Sequence, residues 1–338
     1  FGFIVLDNAR ANALVSYTSI PHFFSMDYFF EGLGPVSIKN NVEIKNIFKG
    51  YNPVIAEFRK RKYKFVRVDG EGHISGCTGI EDICIKGKET ILNNQDMMFL
   101  QRSYLIKVLN RSSKNKTISK LLTVLKINPD NSMNIGDKYM HDVHELQLND
   151  SIVSNNNIEK ILPELNQGPF FYLWWMPFPH VPIRFNDDCS LIKRENWPNS
   201  NHNDFKKWSM YQVQQTKCAD RFLFSSAKKI IERDKNAIII IHSDHGMDHD
   251  AVKENRVDRK DLSKISIGNL LNTFAAYRVP DKCRKNFNNQ NNSPVNSFRI
   301  IFACLDDKTP EIIDYKAFLM DAKYENIIKV FNIENLMD

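Results

Sequence analysis

The sequence predicts an α/β fold, with a central, mostly parallel sheet and helices on both faces. Three observations predict it. Short apolar runs rich in β-branched or aromatic residues recur at 2–6, 63–68, 169–176, 237–242 and 297–305. Segments with apolar residues at helical spacing lie between them. The run Ala237-Ile238-Ile239-Ile240-Ile241 carries no polar residue, as a central strand covered on both faces requires.

The elements follow in chain order. FGFIVL reads as a strand that is already under way at Phe1. A chain that opens inside a strand without a methionine is expected to be the C-terminal portion of a longer protein. A preceding strand and any membrane anchor would then lie outside it. An apolar run after Pro21 reads as a helix with that proline in its first turn. Pro53 likewise opens a helix over 53–60, and Arg59-Lys60-Arg61-Lys62 marks its end, where cations complement the helix dipole. A third helix over 96–109 places Met97, Leu100, Tyr104 and Val108 three or four residues apart. A fourth over 208–233 carries Tyr211, Cys218, Phe222 and Ile230. Asn- and Lys-rich stretches at 110–118, 128–158 and 284–293 read as loops or insertions in one domain spanning 1–338.

Composition narrows the function. With 42% hydrophobic and 25% charged residues the chain is too apolar for a disordered protein. A net charge of +6 includes no run of five or six basic residues, so no nucleic-acid partner is expected. The longest apolar stretch, 170–178, is far short of the roughly 18–20 residues of a spanning helix. Six cysteines include no CxxC pair, which argues against structural zinc. Cys77 with Cys84, and Cys189 with Cys218, are placed to form two disulfides in an oxidising compartment. Cys304 reads as buried and Cys283 as a loop residue, and both are expected to be free thiols.

Ligands of open α/β sheets collect beyond the carboxyl ends of the strands. Three stretches there carry chemistry. In the first, Ile241 runs out into His242-Ser243-Asp244-His245-Gly246, where a turn at the glycine lets a carboxylate and an imidazole converge on one ion. Asp248-His249-Asp250 follows at once, as further ligands or as loop. In the second, His180 stands between Pro179 and Val181-Pro182 after an aromatic strand, its backbone held extended. In the third, Ser16, Thr18 and Ser19 precede the apolar helix. A hydroxyl at a helix N-terminus faces free N–H groups and the positive end of the dipole, where a phosphate or sulfate would sit.

These stretches together resemble the alkaline-phosphatase superfamily, in particular its sulfatase-like branch, which includes the phosphoethanolamine and phosphoglycerol transferases of bacterial envelopes. SDHG at 243–246, the strand leading to PHVP at 179–182 and SMDYFF at 25–30 carry the resemblance. GYNPVIAEFRKRKYKFV at 50–66, Tyr211 through Cys218-Ala219-Asp220 and SPVNSFRIIF at 293–302 support it, in the family's order. It implies that Asp244 and His245 are metal ligands, for zinc or else manganese. His180 would contact the substrate's anionic group or a second ion, and His249 would contact substrate. Counting back from Met26 as the family does gives Ser16 as nucleophile, at a strand's carboxyl end, with Ser19 and Thr18 as alternatives. The sulfatase pattern that would select Ser19 also wants an arginine where Phe23 stands. Asp7 lies too close to Ser16 to be the family's first-strand carboxylate, which is expected upstream.

The implied activity is transfer of a phospho- or sulfo-ester group through a seryl intermediate. The implied acceptor is an envelope lipid or glycan, and the implied place the periplasm or the outer face of a bacterial inner membrane. A periplasmic phosphodiesterase or sulfatase, or an inactive binding relative, is the alternative. The mild positive charge suits an anionic substrate.

Overall fold

A computed structural model of the chain describes residues 1–31, 42–68, 76–85, 168–176, 179–180, 183, 185–190, 192, 205–247, 262–287, 293–321 and 326–332. The helix expected at 96–109, the stretches 110–118 and 128–158, and His249 lie outside these residues. The expected loop at 284–293 is described at 284–287 and 293.

The architecture is mixed α/β with a parallel sheet. β2 (Lys64–Val68) lies between β3 (Ile83–Ile85) and β4 (Phe170–Trp174) and runs parallel to both. Side-chain alternation sends Val66 and Val68 to one face, with Ile85, Tyr172 and Trp174. On the other face Phe171 stacks on Phe58 of α3 (Pro53–Lys60) with ring centroids 4.2 Å apart. Phe298 of α7 (Val295–Leu305) lies 6.0 Å from the same ring. Apolar side chains on both faces explain why this part of the sheet reads as continuous hydrophobic runs. The guanidinium of Arg67 is buried among them and donates to the carbonyls of Phe48 and Gly76.

α3 forms where its capping chemistry predicts. Asn52 is the N-cap, its Oδ1 accepting the Ile55 N–H at 3.0 Å, and Pro53 follows in the first turn. The basic run beyond it splits between partners. Arg61 meets Glu57 and, at 2.8 Å, Asp306.

Two runs fold differently from expectation. β5 (Ile239–His242) is not a central parallel strand among the described residues. It pairs antiparallel with β6 (Ala275–Arg278), which pairs antiparallel with β1 (Ile4–Val5). The run 297–305 is helical, within α7, because Phe298, Ile301 and Phe302 share a buried face at helical spacing. A short, uniformly apolar run suits a buried helix as well as a strand. A third ladder, β7 (Ala317–Met320) with β8 (Ile327–Phe331), is antiparallel.

The opening segment is tied to the last third of the chain. Asn12, fully buried, donates to Ser293 Oγ at 2.9 Å and to the Lys316 carbonyl at 2.8 Å. Ala13 bridges to Phe318. One core cluster joins Leu6, Ile20, Phe24, Phe58, Phe298 and Phe302, with Phe171 and Ile240 packed against it.

Both expected disulfides are present, with Cα–Cα separations of 6.0 Å for Cys77–Cys84 and 5.0 Å for Cys189–Cys218. The expectation of two free thiols is corrected, because Cys283 and Cys304 form a third bridge at 5.6 Å. Cys283 lies in a short helix, α6 (Asp281–Arg284), that packs beside α7 and brings the two sulfurs together. Three disulfides suit an extracellular or periplasmic location. No helix among the described residues is long and apolar enough to cross a membrane.

Candidate functional site

α1 (Ser16–Ser25) begins at Ser16 itself and not near Pro21, which lies inside the helix. Val15 is its N-cap, extended at φ −146° and offering no side-chain cap. Ser16 therefore stands at the start of a helix instead of at a strand's end. The first N–H groups of that helix have no intrahelical acceptor. Met26 closes the helix in left-handed conformation, and Arg299 Nε of α7 donates to the Met26 carbonyl at 2.6 Å.

The turn after β5 comes against this helix start. Ser16 Oγ lies 3.5 Å from His245 Nε2, and Asp244 Oδ2 lies 3.7 Å from the same nitrogen. His245 Nδ1 is 2.7 Å from the Gly246 carbonyl, which can only accept, so Nδ1 carries the hydrogen. In the neutral ring Nε2 then presents its lone pair toward the Ser16 hydroxyl and the Asp244 carboxylate. Asp244 Oδ2 is buried and has no hydrogen-bond partner among the described residues.

The other two hydroxyls are engaged elsewhere. Ser19 donates to the main-chain carbonyl of Asp244, and Thr18 donates to the Val15 carbonyl at 3.0 Å. Both side chains are buried, at 2% exposure, whereas Ser16 is half-buried.

A second clamp holds the turn from below. Ser243 N–H donates to the Phe274 carbonyl at 2.9 Å, and Phe274 N–H returns a bond to Ser243 Oγ at 2.8 Å. Gly246 N–H donates at 2.7 Å to Leu270 O, at the end of α5 (Lys264–Leu271). A Cβ at 246 would sit 2.1 Å from the Asn269 carbonyl oxygen and 2.2 Å from that of Asn272. Glycine is needed here for close approach.

His242, just before this turn, was not singled out by the sequence. Burial pushes its imidazole down to about 4, partly opposed by the Asp244 charge, and its ring lies 5.5 Å from Phe23. Its place as the last residue of an apolar run was the available signal. His180 stands in the loop after β4 with its side chain exposed.

The resemblance implies a divalent metal at Asp244 and His245. The residues present fit one, because a buried carboxylate oxygen without a partner and an imidazole lone pair face the same space. The chemistry is a hard oxygen beside a borderline nitrogen, the donor set zinc or manganese accepts. Among the described residues no third histidine, cysteine or carboxylate joins this pair. The cluster of three found there is Cys77, Glu81 and Cys84, whose sulfurs are bonded to each other.

Comparison with solved structures finds similar chains. A protein of glycosaminoglycan metabolism in Bacteroides thetaiotaomicron matches over 100% of this chain and 81% of its own, at 14% identity and TM-score 0.48. A 2-O glycosaminoglycan sulfatase matches over 95% of this chain and 70% of its own, at 11% identity and TM-score 0.45. Ps i-CgsB, also solved with a neocarrahexaose, matches over 92% of this chain at 13% identity and TM-score 0.42. The chain spans 65% of the length of that protein. No protein-family model matches the chain, and no curated protein sequence does.

Proposed function

We propose that this chain is a sulfatase-like enzyme acting on an anionic sulfo- or phospho-ester, with Ser16 as nucleophile and Asp244 and His245 as metal ligands. The observation that carries the reading is the approach of Ser16 Oγ to His245 Nε2, beside the orphaned Asp244 Oδ2. A bound divalent cation would supply charge stabilisation for the ester and would lower the pKa of a hydroxyl beside it. Ser16 Oγ attacks sulfur or phosphorus, the ester oxygen leaves, and a seryl sulfate or phosphate results. The leading N–H groups of α1 face the equatorial oxygens. His180 contributes an imidazole to the anionic group from the loop after β4. Water resolves the adduct in a hydrolase. A lipid or glycan hydroxyl resolves it in an envelope transferase, on the outer face of a membrane.

The test is to load the full chain with zinc, offer 4-nitrophenyl sulfate or 4-nitrophenyl phosphate, and quench in acid. Mass spectrometry should find an adduct on the peptide carrying Ser16, and Ser16→Ala should abolish it. An adduct persisting in Ser16→Ala overturns the assignment and points to Ser19. That two candidate ligands and not three converge among the described residues favours a second reading, a relative that binds anionic esters without turning them over. Failure of the purified chain to retain zinc at neutral pH, with tight binding of the ester and no release of nitrophenol, would select it.

A further inference from the structure

We infer that Gln215 is a positioning residue for His180. This rests on the reading of His180 as a substrate contact and adds to it. Gln215 lies on α4 (Phe205–Arg233) and is fully buried, at 0% exposure. Its Nε2 donates to two carbonyls in succession, Pro179 at 3.1 Å and His180 at 2.9 Å. An amide nitrogen has two hydrogens, and here both are used. Carbonyls accept and cannot donate, so the amide can face them only with its nitrogen. That orientation leaves Oε1 toward the Phe185 N–H, at 3.4 Å. One side chain thus fixes the backbone on both sides of the short stretch between Pro179 and Phe185.

Its neighbours on the helix reinforce it. Gln212 Nε2 donates to the same Pro179 carbonyl at 2.9 Å. Cys218 bonds covalently to Cys189, farther along the same loop. Residues 212, 215 and 218, spaced by three, make one side of α4 the seat of the loop. The disulfide holds the far end of the loop, and Gln215 holds the carbonyl of His180 itself. The imidazole is exposed, and the backbone that Gln215 holds sets where the His180 Cβ stands. Losing these bonds would release the backbone that carries the ring without removing the ring.

The experiment compares Gln215→Met, which keeps the length and apolar volume of the side chain, with His180→Gln and with the double variant. Two readouts are taken on the zinc-loaded full chain, the KM and kcat for 4-nitrophenyl sulfate and the exchange rate of the Phe185 amide. We expect Gln215→Met to raise KM about tenfold with kcat within about twofold. It should add nothing once His180 is Gln, and the Phe185 amide should exchange about tenfold faster. Equal losses in both backgrounds, with unchanged Phe185 exchange, would overturn the proposal and leave Gln215 an ordinary core residue. If Phe185 exchange rises while neither single variant changes KM, the positioning of the loop stands. In that case it is the reading of His180 as a substrate contact that fails.

Discussion

Ser19 donates its hydroxyl hydrogen to the main-chain carbonyl of Asp244, three residues along α1 from the Ser16 hydroxyl that faces His245. The two serines therefore do opposite things from one helix. Ser19 attaches the helix to the turn, and Ser16 stays available at the mouth. Ser19→Ala should leave a buried carbonyl without its partner and cost about 1–3 kcal/mol in chemical denaturation. Ser16→Ala should leave the unfolding midpoint within error while removing turnover. Equal destabilisation by both would show that neither hydroxyl is free for chemistry.

Gly246→Ala should be far more damaging than its one added methyl suggests. The new Cβ would collide with two backbone carbonyls, which cannot swing aside as a side-chain tip could. Overpacking of this kind costs about 1–3 kcal/mol, and the strain falls on the residues that place Asp244 and His245. Urea titration and zinc retention should fall together. Wild-type stability in this variant would mean that the approach to α5 is looser than described.

Acid should destabilise the fold through His22. Its ring is fully buried, stacks on Phe318 at 4.9 Å and accepts the Phe29 N–H at Nδ1, at 2.9 Å. Burial pushes it down to about 3, against the slight upward pull of a bond to Asp27. Above pH 6.5 the folded and unfolded states both hold it neutral. Between about 6.5 and about 3 only the unfolded state takes up the proton, so stability falls as pH falls through that window. Urea midpoints measured from pH 7 to pH 4 should decline, and His22→Gln should flatten the decline by about one proton's worth. An unchanged slope in the variant would put the titrating group elsewhere.

The third disulfide makes a simple count. Thiol titration of the unfolded, unreduced protein should find no free cysteine, and six after reduction. Removing Cys283 and Cys304 together opens a loop of 21 residues and should cost about 3 kcal/mol. Two thiols before reduction would restore the pairing expected from sequence.

Legibility in the sequence followed the locality of the cause. Asn52-Pro53 and the basic run after it carry their own helix boundaries, so α3 could be read directly. The parallel strands β2 and β4 announced themselves by apolar faces on both sides. The run that became α7 did not, since residues 300–305 are all apolar and hide the helical spacing of Phe298, Ile301 and Phe302. Pro21 misplaced the start of α1, because a proline inside a helix reads like one in a first turn. The glycine after Asp-His let the sequence place Asp244 beside His245, whereas the family resemblance, and not the residues alone, implied that Ser16 would lie near them. Ser19's bond to Asp244 and Gln215's bonds to the His180 loop were not readable, since each depends on which surfaces meet across long stretches of chain.

The attachment of Asn12 has a consequence for when this protein becomes competent during synthesis. Its amide nitrogen donates to partners 281 and 304 residues later, and Ala13 waits on Phe318 for its bridge. Ser16 follows only a few residues on. A ribosome delivers the hydroxyl well before the residues that hold its loop, so local folding of the residues made before Ser293 and Lys316 cannot produce the finished site. Contacts this distant in sequence slow the final step of folding. Chains interrupted before Lys316 should carry every residue named at the site and still lack its geometry.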